Sequence, residues 1–288
     1  MDSATSAGAA SPINQFARFL ADRWIAGLEH RYDITRHRAW NTWRALNGGR
    51  SIPWTCTSLS QAAQHWSWRE PPRKPFSDLA HALQMAMAAD DDAAAAACCH
   101  DIFEWGDVAR DADAPSRQWV ADRARAGRLC NDLHAAVHLL APGSTAPLDR
   151  FTAGNLWMNS ATTKLYAAAD PVAQTAIYDG RVGAALGMLA RQFLEEQKVN
   201  SVPAELAFMW GAPQSASQAA LRTRDPSTER HVFRKLPNGV RSHRPRAELG
   251  RNVNTLFGRV IEILAERGLK ASMLELERAC LMIGYRLR

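Results

Sequence analysis

The feature that most constrains this chain is the Asp170-Pro171 pair, which interrupts an otherwise continuous helical pattern between Trp157 and Ala190. The residue before a proline is driven out of the α region, so a helix over residues 161–169 must stop there. Ser160 is the expected N-cap of that helix, and Asp179 the expected cap of the next. Beyond Asp179, residues Val182, Ala185, Leu186, Leu189 and Phe193 recur at helical spacing and give one apolar face. Gly183 and Gly187 leave room for a neighbouring element on that helix.

The spacing has a chemical consequence. Lys164 falls in the first turn of the first helix and Asp179 at the start of the second. The first helix carries the chain about 13 Å away from its start. The following stretch can span roughly 26 Å, so it is long enough to return. The two helix starts can therefore lie side by side. A lysine near the positive end of a helix is biased toward the neutral amine, and an aspartate there toward the carboxylate. An amine nucleophile beside a carboxylate suits reactions that pass through a cationic carbon or a Schiff base. The plainer reading is a solvated lysine and an ordinary capping aspartate.

The segments T-T-K-L-Y-A-A-A-D (162–170) and A-I-Y-D-G-R-V-G-A-A-L (176–186) resemble the catalytic segment of the 8-oxoguanine branch of the helix-hairpin-helix DNA glycosylases. C-H-D-I-F-E-W-G-D-V (99–108) and R-D-P-S (224–227) are similar to segments of a bacterial group with that fold. The resemblance implies that Lys164 is a Schiff-base lysine, Asp179 the assisting aspartate and Val182 the valine that follows it. It implies an all-α, two-lobed fold with the Lys–Asp pair in the cleft. The glycine-rich hairpin turn of the family is replaced by Met158-Asn159-Ser160-Ala161-Thr162, so the hairpin is degenerate and the family's backbone contact with phosphate does not carry over unchanged. Asn159, Ser160, Thr162 and Thr163 still occupy the positions that face DNA in the family.

Charge points the same way. The formal net charge is +6 and the pI about 9.3, which fits a polyanionic partner. Residues 222–251 carry nine Lys or Arg and three acids, a surplus equal to that of the whole chain. With Pro237-Asn238-Gly239 as a turn signal and few periodic apolar residues, the segment is expected to be a long basic loop. Arg222, Arg224, Arg234, Lys235 and Arg241 are its expected phosphate contacts, joined by Arg181. Near the N-terminus, Trp40, Trp43 and Trp54 alternate with Arg31, Arg36, Arg38, Arg44 and Arg50. Such interleaving can bind nucleic acid, but buried tryptophans with solvated arginines is the favoured reading.

The remaining expectations are structural. Residues 1–10 read as disordered, and residues 11–288 as one helical domain with a possible lobe boundary near the prolines of 69–76. Helices are expected from Ser11-Pro12, from Thr35 to Asn47, over 58–68, 76–89, 92–105, 115–125 and 127–140, and from Pro203 to Trp210. Two more close the chain, the second with a capping box at Ser272 and Glu275. Five cysteines and no C-x-x-C argue for a reducing compartment and against a zinc site or iron–sulfur cluster. His134 and His138 lie four apart with no third ligand nearby, so no metal and no cofactor is expected. No leader and no long apolar run is evident, so the expectation is a cytoplasmic, nucleoid-associated monomer with no membrane contact. The expected function is excision of an oxidised purine, or of a bulky phage-type base as antiviral defence, from double-stranded DNA. The alternative is a non-catalytic helical nucleic-acid-binding protein in which Lys164 contacts phosphate.

Overall fold

A computed structural model describes residues 11–34, 40–67, 74–212, 222–239 and 241–287. Expectations for residues 1–10, Thr35, Arg36, Arg38 and most of the 69–76 boundary lie outside these. The described residues are mostly helical, with helices α1 (Pro12–Ile25), α2 (Asn41–Leu46), α3 (Leu59–Gln64), α4 (Phe76–Ala88), α5 (Asp92–Trp105), α6 (Pro115–Arg125), α7 (Leu129–Leu140), α8 (Thr162–Ala169), α9 (Gly180–Glu196), α10 (His243–Glu266) and α11 (Met273–Ile283). The all-α expectation holds at this level. Strands β1 (His30–Tyr32) and β2 (Trp54–Cys56), not anticipated, pair antiparallel with Tyr32 opposite Trp54.

Local chemistry explains most boundaries. Pro12 occupies the first turn of α1, where its missing N–H costs nothing. Ser58 caps α3, Asp91 caps α5, and Ser272 with Glu275 forms the expected capping box on α11. Trp40, Trp43 and Trp54 are buried, and Arg31 and Arg50 are exposed, so the N-terminal aromatics are core.

Three expectations need correction. Ser160 does not cap α8; Ala161 holds the cap position in helical geometry, and the side chain serving this end is that of Asn159. The segment from Pro203 forms only a 3-10 turn, Ala204–Leu206, before extended chain. The basic segment 222–251 is not one long loop, because its last nine residues are the start of α10. That start escapes an apolar-periodicity reading because, of its buried residues His243, Arg246, Ala247, Leu249 and Gly250, Leu249 alone is a large apolar side chain.

The buried residues form two hydrophobic cores. One gathers α1, the β1–β2 pair, α3, α9, α11 and most of α10. The other gathers α4 to α8, joined by Ala247 of α10. The chain leaves the first core at Trp66 and enters the second at Phe76. It returns between α8 and α9, so the Lys164–Asp179 stretch spans the junction of the two cores.

The start of α9 is tightly wedged. A Cβ on Gly180 would lie 2.5 Å from the Gly211 Cα, and one on Gly183 would collide with the Met209 carbonyl. One on Gly284, just past α11, would strike the Arg181 carbonyl. Gly187 lies against Pro226. Tyr178 completes the joint, its hydroxyl donating to the Met209 carbonyl at 2.8 Å and accepting from the Met209 amide at 3.0 Å.

Candidate active site

The approach to α8 is organised by Asn159. Its Oδ1 accepts from the Ala161 and Thr162 amides at 2.8 and 3.0 Å, satisfying N–H groups that the helix itself leaves without partners. Thr162 Oγ1 accepts from the Asn159 amide and donates to the Trp157 carbonyl. Thr162 and Thr163 are fully interior, so their side chains hold the framework. The carbonyl of Ser160 accepts from Lys164 Nζ at 2.8 Å.

Lys164 is only 6% exposed, which removes the solvated-lysine reading. Its stem packs on Gly106, where an added Cβ would sit 2.5 Å from Lys164 Cδ. Gly106 belongs to the C-H-D-I-F-E-W-G-D-V segment, which thereby acquires a specific role: a side chain there would displace the amine. Burial lowers the pKa of Lys164, and Arg181 adds to this; Asp179 and Glu277 oppose it.

The return loop brings Asp179 back by side-chain capture of its amides. Asp170 accepts from the Val172 and Gln174 amides and from the Thr175 hydroxyl. The Ala176 amide donates to Asn254 Oδ1 at 2.9 Å, and the Ile177 amide to Glu277 Oε2 at 2.9 Å. The Tyr178 amide donates to Thr163 Oγ1 at 3.1 Å, which ties the two helix starts together. The expected return is therefore observed, and Lys164 and Asp179 lie within electrostatic reach of each other.

Asp179 caps α9 as expected, accepting from the Arg181 and Val182 amides at 2.7 and 3.1 Å. Its second oxygen takes the Arg181 guanidinium at 2.9 Å. Burial alone would raise its pKa, but Arg181, Lys164 and the Val182 amide outweigh it and hold the carboxyl well below the usual range. Asp179 is thus a permanent anion among cations. Arg224, from the 3-10 turn Arg222–Arg224, adds a third cation near it, donating to the Tyr285 carbonyl at 3.1 Å.

Of the other expected contacts, Arg234, Lys235 and Arg241 are exposed, and Lys235 also lies over the Trp210 ring. Their neighbours in sequence do other work. Arg244 pairs with Asp149 and Glu248, Arg246 donates to the Pro237 carbonyl and Asn238, and Arg251 to the Ala146 carbonyl. The exposed basic surface here is therefore narrower than the sequence count suggests.

A cleft of about 430 Å³ opens next to Ser160, lined by residues including Asp107, Arg110, Asn159, Ser160, Asn238 and Arg246, and neither Lys164 nor Asp179 is part of its lining. Ser160 both accepts from the amine and lines the cleft, and Asp107 follows the glycine on which the lysine stem rests. Asp107 and Ala109 hold positive φ angles of 51° and 48°, a strained conformation that is concentrated at functional sites.

Sequence reading missed Glu277, a buried acid on α11 that anchors the loop. Its signal was available: it lies four after Met273 and three before Cys280, an acid inside a buried stripe. No family model, curated protein or solved structure matches this chain.

Proposed function

We propose that the protein is a DNA glycosylase of two-lobed, glycosylase-like build that uses Lys164 as nucleophile and Asp179 as electrostatic partner. The observation that carries this reading is a buried amine, with no carboxylate in direct contact among the described residues, held within electrostatic reach of an aspartate of lowered pKa by the Thr163–Tyr178 bond. Burying a charged amine is costly, and structures that do so commonly use its altered basicity.

In this reading the target nucleotide is turned out of the duplex into the cleft. The Lys164 lone pair forms a bond to the sugar C1′, and the glycosidic electron pair leaves with the base. The extra proton on the adduct nitrogen passes to the departing base, the C1′–O4′ bond then opens with O4′ taking a proton from water, and the resulting protonated Schiff base allows β-elimination to break the strand. Asp179 lowers the energy of the cationic sugar. Exposed Arg234, Lys235 and Arg241 bind phosphate, and affinity falls steeply with salt. The base is an oxidised purine or a bulky modified base.

The test is borohydride trapping on duplexes carrying oxidised, bulky modified or abasic nucleotides, with release of base scored in parallel. A covalent adduct with the parent protein that is lost in Lys164→Ala while DNA binding persists is the expected result. Arginine at 164 is not expected to rescue, because guanidinium stays protonated. Base release at the parent rate by Lys164→Ala would overturn the lysine assignment.

A further inference from the structure

Asp132, in the first turn of α7, has a side chain only 2% exposed and three arginines around it. Arg150 Nη2 lies 2.9 Å from its Oδ1, Arg123 Nε 3.5 Å from its Oδ2 and Arg128 Nη2 3.9 Å from its Oδ1. Three guanidiniums and one carboxylate leave a surplus of two positive charges. The neighbouring acids are engaged elsewhere. Asp92 accepts from the Cys130 amide at 2.7 Å, Asp122 pairs with Arg125, and Asp149 with Arg244. Arg123 is the structural member of the cluster, its Nη2 donating to the Gly154 and Asn155 carbonyls. Arg128 and Arg150 have side chains 53% and 42% exposed. Arg150 spends one donor on Asp132, and Arg128 stands beyond hydrogen-bond distance of it. Arg128 also holds the N-cap position of α7, where the helix dipole opposes a cation, so helix stability gives no reason for it.

We propose that Arg128 and Arg150 grip one phosphate of the DNA backbone, about three nucleotides from the one whose base enters the cleft. Two exposed guanidinium forks that share one buried counter-charge keep donors and charge for a phosphate, whose oxygens they match. The placement follows from α6. Its Ser116 hydroxyl accepts from Asn159 Nδ2 at 3.0 Å, and Asn159 lines the cleft. Further along α6, Trp119 Nε1 and Arg123 Nη2 donate to the Asn155 carbonyl at 2.8 and 2.9 Å. Ser116 and Arg123 are two helical turns apart, about 10 Å. Successive phosphates of one strand advance about 3.4 Å along the duplex, so that distance is roughly three nucleotides. The register rests on the glycosylase reading, because it counts from a nucleotide turned into the cleft. The phosphate contact itself requires only DNA.

The contact is read first with the full chain and an unmodified duplex. Arg128→Gln is expected to melt with the parent, because Arg128 forms no hydrogen bond to Asp132. Its plot of log affinity against log salt should flatten by about 0.9, a roughly tenfold loss of affinity for each decade of salt below the 1 M reference. Arg150→Gln, with its folding checked by melting temperature, should flatten the plot by a similar amount. Arg128→Lys keeps the charge and should recover most of the slope. Arg125→Gln removes an equal charge from a neighbouring exposed arginine and should leave the slope unchanged. A parent-like slope in folded Arg128→Gln or Arg150→Gln, or the same flattening in Arg125→Gln, overturns the proposal. A single neutral methylphosphonate, walked along a duplex that carries one stable abasic analogue, then reads the register. Parent affinity should dip roughly three nucleotides from the analogue, and Arg128→Gln should lose that dip, as two changes to one contact do not add. An equal dip in parent and Arg128→Gln also overturns the assignment. Flattened slopes with no dip tied to the analogue uphold the phosphate contact and sink the glycosylase reading, and the register with it.

Discussion

The backbone N–H of Tyr178 donates to the Thr163 hydroxyl at 3.1 Å, so the residue before Asp179 is tied to the residue before Lys164. Two helices that belong to different hydrophobic cores are thereby registered where Lys164 and Asp179 come within electrostatic reach of each other. Thr163→Val keeps the shape and removes the acceptor, leaving a buried amide without a partner at a cost of about 1–3 kcal/mol. The expected outcome is a lower melting temperature together with a drop in trapping on abasic-site DNA. Thr163→Ser is expected to restore much of both. Parent-level trapping by the valine variant would show that the bond does not set the site geometry.

Gly106→Ala offers a sharper separation of stability from chemistry. Gly106 has an ordinary helical conformation, with φ at −77°, so alanine fits the backbone. Its new methyl would meet Lys164 Cδ and Cε at 2.5 and 2.6 Å, and the flexible lysine would move. Thermal unfolding should change by under about 1 kcal/mol, while covalent adduct formation falls by tenfold or more, as expected when a reacting group is misplaced. Equal losses in stability and trapping would refute this.

Asp179→Asn keeps a capping oxygen but loses the charge that pairs with Arg181 and faces Lys164. Asparagine is as good a cap as aspartate, so the helix should start normally. Catalysis of adduct formation should fall by two orders of magnitude or so, in the range seen when one electrostatic donor is removed. Near-normal turnover would show that the carboxylate charge is dispensable.

Glu277 predicts a pH signature in stability. Its folded pKa, about 7, is raised above the ordinary 4.5. A raised pKa means the folded state binds the proton more tightly, so this contribution is fully present below 4.5 and is lost as pH rises through about 7. The melting temperature of the parent minus that of Glu277→Gln should therefore decrease from pH 4.5 to 7.5. A flat difference over that window would contradict the raised value.

Much of this arrangement could be read from residue order. The helices over 76–140 are marked off by Pro75, the Asp91 cap and Pro115, and α4 to α7 fall close to where the residue pattern predicts them. The Asp170-Pro171 break and the Asp179 cap are local effects, so the return of the chain could be anticipated. What escaped depends on distant partners. Asn159 outcompetes Ser160 as the capping side chain because its longer amide reaches two N–H groups at once. Strands β1 and β2, three residues each, are too short to show alternation and exist because they pair with each other. The start of α10 hides its buried face in histidine, arginine and glycine. Glu277 and Gly106 acquire meaning only from side chains more than fifty positions away.

The glycine-lined joint around the start of α9 also bears on how such a protein can change over generations. With Gly180, Gly183 and Gly284 pressed against backbone, nearly every substitution on that side of Asp179 is closed. The cleft wall formed by residues 107–111 and by Asn238 in the turn before α10 has no glycine pressed against backbone, and its positive φ angles at Asp107 and Ala109 are a milder restriction. A lineage adapting to a new ligand in the cleft would change that wall more readily than the start of α9, leaving the acid and its helix as a fixed inheritance.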